Sequence, residues 1–276
     1  KFGPGNNGNL KHVNFLTNYG YTIFFENLAT ATAPAAYVEV TDTLDKTKMD
    51  IATFQISGFG WGDSVVLTDA NRGDYSLLQD LRPLHPNKLR IDIRIDTATG
   101  IMKWKFFTLD TATLQLTEDP AQGFLPPNTD GKQGVGFISF SIKPKAGVTS
   151  GTVINNNAAI VFDQNAAILT PVWQHIVDTT KPQSNVAALP SVINTTGFVV
   201  NWSGNDAHSG IDKYAVYVSV NDSIFKRWKK FTNAVSDTFH GQFTKTYKFF
   251  SVASDSAGNY EDAPPDAYAN PDAITT

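Results

Sequence analysis

Regular alternation of apolar and polar residues limits the fold of this chain more than any other feature of its sequence. In residues 89–96, leucine and isoleucine alternate with arginine and aspartate, and Ile138, Phe140 and Ile142 alternate with polar residues. Successive side chains of a β-strand point to opposite faces, so this period describes strands with one buried and one wet face. We find no sustained i, i+3, i+4, i+7 apolar spacing with helix caps. The sequence therefore predicts an all-β chain.

Further apolar runs are short and are separated by turn residues. Residues 21–25, 37–40 and 153–162 read as strands, and the last run is apolar enough for the centre of a sheet. Residues 110–134 are polar, contain three prolines and read as one long loop. Many short strands at this spacing predict β-sandwiches.

Composition excludes several classes of function. The chain has 276 residues, enough for one large or two ordinary domains, and a net charge of -4 argues against nucleic-acid binding. It has 0 Cys, which excludes disulfides and thiol chemistry, and no apolar run approaches the ~20 residues of a membrane span. Aspartate outnumbers glutamate by 22 to 4, a bias that favours turns and suits calcium ligation.

A polar segment divides the chain. Residues 178–184 read Asp-Thr-Thr-Lys-Pro-Gln-Ser, and a proline near the end of such a stretch favours extended backbone. We predict a sandwich module over residues 1–177 with a loose N-terminal lead-in, and a linker over 178–184. A second sandwich follows over 185–264, and residues 265–276 are expected to be a tail or the start of another linker. The chain begins at Lys1 without Met, which we interpret as a segment of a longer protein.

The second module has a distinctive set of residues: Val200-Asn201-Trp202-Ser203-Gly204, Asp206, Ser209-Gly210-Ile211, Tyr214, Val216, Tyr217-Val218-Ser219, Trp228, Tyr247, Phe249 and Asp255-Ser256-Ala257-Gly258-Asn259. In these residues it resembles the immunoglobulin-like and fibronectin type III-like modules of large bacterial secreted proteins, over about residues 182–262. About seven strands with a buried tryptophan in the second strand suit that fold.

The first module has a second set of such residues: Tyr21-Thr22-Ile23, Phe25-Glu26-Asn27, residues 40–45, Thr53-Phe54, residues 123–127, 136–145, 151–154, 157–158, 160–165 and 168–170. In these residues it resembles a repeat domain of uncharacterised function from large secreted proteins of Bacteroidetes-type bacteria, over about residues 19–172. Together the two resemblances imply a non-enzymatic segment of an extracellular or bacterial cell-surface protein. Its partners would be the neighbouring modules of the same chain.

The strongest candidate site is a calcium site at the predicted module junction. In the sandwich that the resemblance implies, Asp178, Asn205, Asp206, Asp255 and Asn259 belong to segments that gather at one pole. Calcium takes six to eight oxygen ligands from such side chains. The alternative is that the aspartates accept nearby backbone N–H groups in Asx-type turns.

Asp163 and Asn165, one residue apart, form a weaker calcium candidate. Trp61, between two glycines, and Trp228, among four cationic residues, are candidates for exposed rings that would bind a polysaccharide or cell-surface glycan. The alternative for both is the edge of the core. Trp104, Trp173 and Trp202 are predicted core residues.

Little in the sequence favours catalysis. The five His are scattered, and no nucleophile, phosphate-loop or zinc motif is found. Asp92 and Asp96 share a strand face but alternate with arginines, which favours ion pairing over glycoside hydrolysis. A Lys–Asn isopeptide cross-link is a further hypothesis, with Asn157 as acceptor and Glu26 as acid, but the strand over 21–25 has no lysine. The sequence therefore predicts a spacer or presentation segment, with a carbohydrate-binding accessory module as the alternative.

Overall fold

Strands are the regular elements of the part of the chain that the structure describes. The computed structural model describes residues 1–5, 11–68, 73–83, 85–264 and 266–276, and every regular element in these ranges is a strand. None of the described residues forms a helix with the length and apolarity needed to cross a membrane. The all-β prediction is confirmed.

Strands follow one another with short connections along most of the chain. The first ten are β1 (His12–Asn14), β2 (Tyr19–Glu26), β3 (Tyr37–Thr43), β4 (Met49–Trp61), β5 (Ser64–Leu67), β6 (Tyr75–Asp80), β7 (Lys88–Asp96), β8 (Ile101–Leu109), β9 (Val135–Pro144) and β10 (Val153–Asn156). The others are β11 (Ala158–Phe162), β12 (Ile168–Leu169), β13 (Trp173–Asp178), β14 (Gln183–Val186), β15 (Gly197–Asn205), β16 (Ile211–Val220), β17 (Lys226–Thr232), β18 (Ser236–His240), β19 (Tyr247–Asp255) and β20 (Ala273–Thr275). Residues 110–134 contain no strand, as predicted for a long loop.

The chain forms two compact units. Unit 1 comprises Lys1–Lys11, Phe15–Val148 and Val153–His175, and unit 2 comprises His12–Asn14, Thr149–Thr152 and Ile176–Thr276. Strand β13 begins in unit 1 and ends in unit 2.

Unit 1 is a sandwich of two antiparallel sheets. One sheet has the order β12-β11-β3-β8-β7-β6 and the other β2-β9-β4-β5. Aromatic side chains from the two sheets meet between them: the ring centroids of Phe59 and Trp104 lie 5.8 Å apart, and those of Phe25 and Phe106 lie 5.4 Å apart. The alternation in central strands such as β3, β8 and β9 thus places one face of each in a shared core.

Unit 2 is an immunoglobulin-like sandwich of the fibronectin type III kind. Its seven strands, β14 to β20 in chain order, form two sheets with the orders β14-β15-β18 and β17-β16-β19-β20. The first, second and fifth strands thus form one sheet and the other four form the second, as in the fibronectin type III arrangement. Trp202, on the second strand, is buried in a core that also contains Val216 and Phe249. The predicted fold class and the buried tryptophan are both confirmed.

Three terminal or connecting segments differ from the predicted domain plan. Residues 178–184, predicted as a linker, contain the end of β13 and the start of β14, and residues 265–276, predicted as a tail, contribute β20 to the sheet beside β19. In the predicted lead-in, Phe2 pairs with Thr22 and β1 pairs in parallel with Ile176–Asp178. Residues 6–10 of that lead-in and Pro265 lie outside the described residues. The strands β1, β14 and β20 have only three or four residues each, too few to show a recognisable period in the sequence.

Asp272 ties β20 to the rest of unit 2. One oxygen of its carboxylate, Oδ2, accepts the backbone N–H of Val186 at 2.9 Å and that of Ser251 at 3.0 Å. We expect Asp272→Ala to speed hydrogen exchange at both amides and to lower the free energy of unfolding by about 1–3 kcal/mol, because two donors lose a charged acceptor. NMR-detected exchange measures the effect. Asp266→Ala, an exposed aspartate on the same connection, is the control, and equal exchange in both variants would contradict the assignment.

Candidate functional site

Three aspartates from separate segments of unit 2 converge. Asp178 ends β13, Asp206 follows β15 and Asp255 ends β19, and one carboxylate oxygen of each lies within 4.8 Å of the others. Asp178 and Asp255 are buried, and Asp206 is half-buried. Residues far apart in sequence meet here because β15 and β19 end at the same pole of the sandwich.

The Asp206 carboxylate caps the loop that follows it. Its Oδ1 accepts the backbone N–H groups of His208 at 3.0 Å, Ser209 at 2.7 Å and Gly210 at 2.9 Å. Its Oδ2 is buried and has no hydrogen-bond partner among the described residues. One oxygen of this carboxylate is therefore committed to the turn, and the other is available to a ligand.

Asp255 is held in the same manner by the turn after β19. Its Oδ1 accepts the N–H groups of Ala257 at 2.9 Å and Asn259 at 2.8 Å, and its Oδ2 accepts the Asn259 amide, Nδ2, at 2.8 Å. The same Nδ2 donates to the backbone oxygen of Asp178 at 3.1 Å. Asn259 thus belongs to the group, as the sequence suggested.

The Asp178 side chain connects the end of β13 to the loop after β15 and to the segment that contains Ser150. Its Oδ2 accepts the Ser209 N–H at 3.1 Å, and its Oδ1 accepts the Thr180 N–H at 2.9 Å and the Ser150 hydroxyl at 3.2 Å. Ser150 was not foreseen, because it lies in a segment that the sequence assigns to the first module. No local motif marks it.

The group carries excess negative charge. Burial raises the pKa of Asp255; hydrogen bonds from Asn259 oppose that rise, and the charges of Asp178 and Asp206 add to it. Burial also acts to raise the pKa of Asp206, but backbone hydrogen bonds, chiefly from His208 and Gly210, outweigh it, and the net shift is downward. Across the described ranges, no lysine or arginine forms an ion pair with any of the three aspartates. Among the residues that the structure describes, N–H and O–H dipoles alone compensate the charge.

The other predicted calcium ligands lie elsewhere or at the margin. Asn205 is exposed at the end of β15, in register with Gln183. Asp163 is exposed, and its Oδ1 accepts the N–H groups of Ala36 at 3.0 Å and Tyr37 at 2.8 Å. The Asn165 amide donates to the Phe162 carbonyl at 3.0 Å. In unit 1 the Asp163 side chain therefore links the turn after β11 to the start of β3, and the Asn165 side chain bonds within that turn.

Trp61 is buried and Trp228 is half-buried, which is closer to the core-edge alternative than to exposed glycan-binding rings. Trp61 is only 9% exposed, since it ends β4 opposite Gly136 of β9. Trp228 packs edge-to-face on Trp202, with ring centroids 5.9 Å apart. The Lys229 ammonium lies 4.8 Å from the centroid of the Trp228 ring. Trp228 therefore packs against the core of unit 2. Trp104, Trp173 and Trp202 are buried, as predicted.

Asp92 lies in an ion pair, as its alternation with arginine suggested. Arg90 Nε lies 3.1 Å from Asp92 Oδ2, and the Ser76 hydroxyl donates to Asp92 Oδ1 at 2.5 Å. Asp96 instead accepts the Ala98 N–H at 2.9 Å. The two carboxylates are thus engaged in separate structural contacts on the wet face of β7.

Residues 103–176 match a family described as a domain of unknown function (DUF7619). Apart from its last few residues, the match falls within the range that resembles the secreted repeat domain, and it covers well under half of the chain. No curated protein matches the chain.

Solved structures resemble the chain at low identity. Fibronectin(III)-like modules of Clostridium thermocellum CbhA are 10% identical, with a TM-score of 0.32 over 92% of this chain and 85% of that one. The FN1-FN3 domains of chicken CNTN1 are 10% identical, with a TM-score of 0.29 over 94% and 62%. BcpA, the major pilin subunit of Bacillus cereus, is 13% identical, with a TM-score of 0.31 over 100% and 68%. Likeness at this level carries no argument about function.

Asp206→Ala and Asp206→Asn separate the structural role of this carboxylate from its charge. Alanine leaves three backbone N–H groups without their acceptor, so in chelator we expect Asp206→Ala to lower the free energy of unfolding by about 1–3 kcal/mol. Asparagine keeps an oxygen at Oδ1, and we expect a much smaller loss. Urea unfolding followed by tryptophan fluorescence measures both, and equal stability of the two variants would contradict the capping role.

Proposed function

We propose that the chain is a structural spacer, or presentation segment, of a large secreted or cell-surface bacterial protein, and that calcium stabilises unit 2. The observation that carries the proposal is the convergence of the Asp178, Asp206 and Asp255 carboxylates within 4.8 Å. The extracellular bacterial setting and the neighbouring modules as partners follow from the sequence resemblances.

Charge supports a cation at this position. Three carboxylates in partly dry surroundings repel one another, and a divalent ion would turn that repulsion into attraction. Calcium suits the chemistry because it accepts carboxylate, amide, carbonyl and water oxygens in irregular geometry. The unpartnered Asp206 Oδ2 would be a ligand, and rotation of the Asn259 amide would offer its oxygen in place of its nitrogen.

A bound ion would join three segments of unit 2. The end of β13, the loop after β15 and the turn after β19 already share hydrogen bonds through Ser209 and Asn259. If metal–oxygen bonds replaced part of that network, this pole of the sandwich could open only after the ion had left. With the end of β13 fixed in this way, a force applied to the spacer would be carried by the sandwich and not by a loose terminal segment.

Calcium should raise the thermal midpoint of the wild-type chain by several degrees relative to chelator. Binding to the folded state alone contributes about 2.7 kcal/mol when free calcium is about 100-fold above Kd. Differential scanning calorimetry in millimolar calcium, millimolar magnesium and excess chelator measures the shift, which we expect magnesium not to reproduce. Asp206→Asn should lower the chelator midpoint only slightly and lose the calcium shift.

Asp163→Asn is the matched control, because it removes a carboxylate from the weaker candidate in unit 1. Its calcium shift should equal that of the wild type. Identical wild-type midpoints in calcium and chelator would eliminate the ion, and a shift that survives in Asp206→Asn but not in Asp163→Asn would move it to unit 1.

A further inference from the structure

A lysine and an aspartate are fully buried together in unit 1. The side chains of Lys1 and Asp42 are both 0% exposed, and Lys1 Nζ contacts Asp42 Oδ2. Nζ also lies 5.4 Å from the centre of the Tyr21 ring. Lysine is almost never buried to this degree, because its charge must leave water.

Asn156 completes the group. It is 4% exposed, and its Nδ2 lies 3.3 Å from Asp42 Oδ2, the oxygen that Lys1 contacts. Strand pairing fixes this position, since Asp42 of β3 lies opposite Ala158 of β11, two residues beyond Asn156. An amine and a primary amide therefore contact the same oxygen of one buried carboxyl group.

As separate side chains, these residues leave polar atoms unpaired. Asp42 Oδ1, Asn156 Oδ1 and the Tyr21 hydroxyl are buried without a hydrogen-bond partner among the described residues. Buried polar atoms in folded proteins nearly always have one, and a buried ion pair stabilises little unless its remaining hydrogen-bonding capacity is satisfied. The arrangement is poorly explained as a structural ion pair alone.

Burial favours the uncharged forms that reaction requires. It lowers the pKa of the Lys1 ammonium, against the opposing effect of Asp42, and it raises the pKa of the Asp42 carboxyl, against the opposing effects of Lys1 and Asn156. A neutral amine is a nucleophile, and a neutral carboxyl group can donate a proton.

We propose that Lys1 and Asn156 become joined by an intramolecular amide bond, with Asp42 as the acid–base group. The Nζ lone pair attacks Asn156 Cγ, and the Cγ–Nδ2 bond breaks. Asp42 gives its proton to the departing Nδ2 and takes one from Nζ, so that it ends protonated, as it began. One amine and one primary amide become one secondary amide and one ammonia, and no oxidant or cofactor is consumed.

The bond would close nearly the whole of unit 1 into a covalent ring. Lys1 precedes the bridge between Phe2 and Thr22, and Asn156 ends β10. Pulling on the N-terminal segment would then load a covalent bond instead of a few hydrogen bonds. This goes beyond the calcium site in unit 2 and does not depend on it.

Mass spectrometry of the denatured wild-type chain tests the proposal. We expect an intact mass lower than the sequence mass by one ammonia, and a protease digest containing one branched peptide. Fragment ions of that peptide should place the link between Lys1 Nζ, not its α-amine, and Asn156. The full sequence mass would overturn the proposal. Loss of water with a Lys1–Asp42 link, or loss of ammonia without a branched peptide, would also overturn it.

Variants assign the roles. Lys1→Arg and Asp42→Asn should both show their full sequence mass, because one lacks the nucleophile and the other lacks the acid–base group. Asn157→Asp changes the exposed neighbour of the acceptor and should still lose one ammonia. A branched peptide of unchanged yield in Asp42→Asn would remove Asp42 from the reaction. The wild-type measurement decides the bond itself even where a variant fails to fold.

Discussion

The burial of one face of the central strands is the constraint on which both units depend. In unit 1, Phe59 of one sheet meets Trp104 and Phe106 of the other, and in unit 2, Trp202 and Phe249 lie in one core. Each sheet has an apolar face that must be covered, and two such sheets cover each other. Because apolar side chains fill these interiors, polar groups that are buried beside them must be held by specific partners.

Two buried polar groups differ in a way that sets their chemistry. In unit 2, Asp178, Asp206 and Asp255 are of one sign and have no cationic side chain among their described partners, which favours a bound cation. In unit 1, Lys1 and Asp42 balance each other, and no further charge is needed. What that group contains instead is an amine beside the amide of Asn156, which favours bond formation.

Long periodic strands could be predicted from sequence, and short ones could not. The alternation over residues 89–96 identifies β7 because these residues show the period several times, whereas β1 and β20 have three residues each and pair only through the tertiary fold. In the same way, Asp178, Asp206 and Asp255 could be grouped once a sandwich was inferred, because its loops gather at known poles. Ser150 could not, since its position depends on a connection outside that pattern.

Calcium ligation and turn capping, alternatives at the level of sequence, are compatible in the structure. A carboxylate has two oxygens, and in Asp206 one oxygen accepts three backbone N–H groups while the other is buried without a partner. The N–H bonds fix the orientation of the carboxylate before any ion arrives, so little conformational entropy remains to be lost on binding. The turn that stabilises the loop without an ion is therefore also what would preorganise the second oxygen for one.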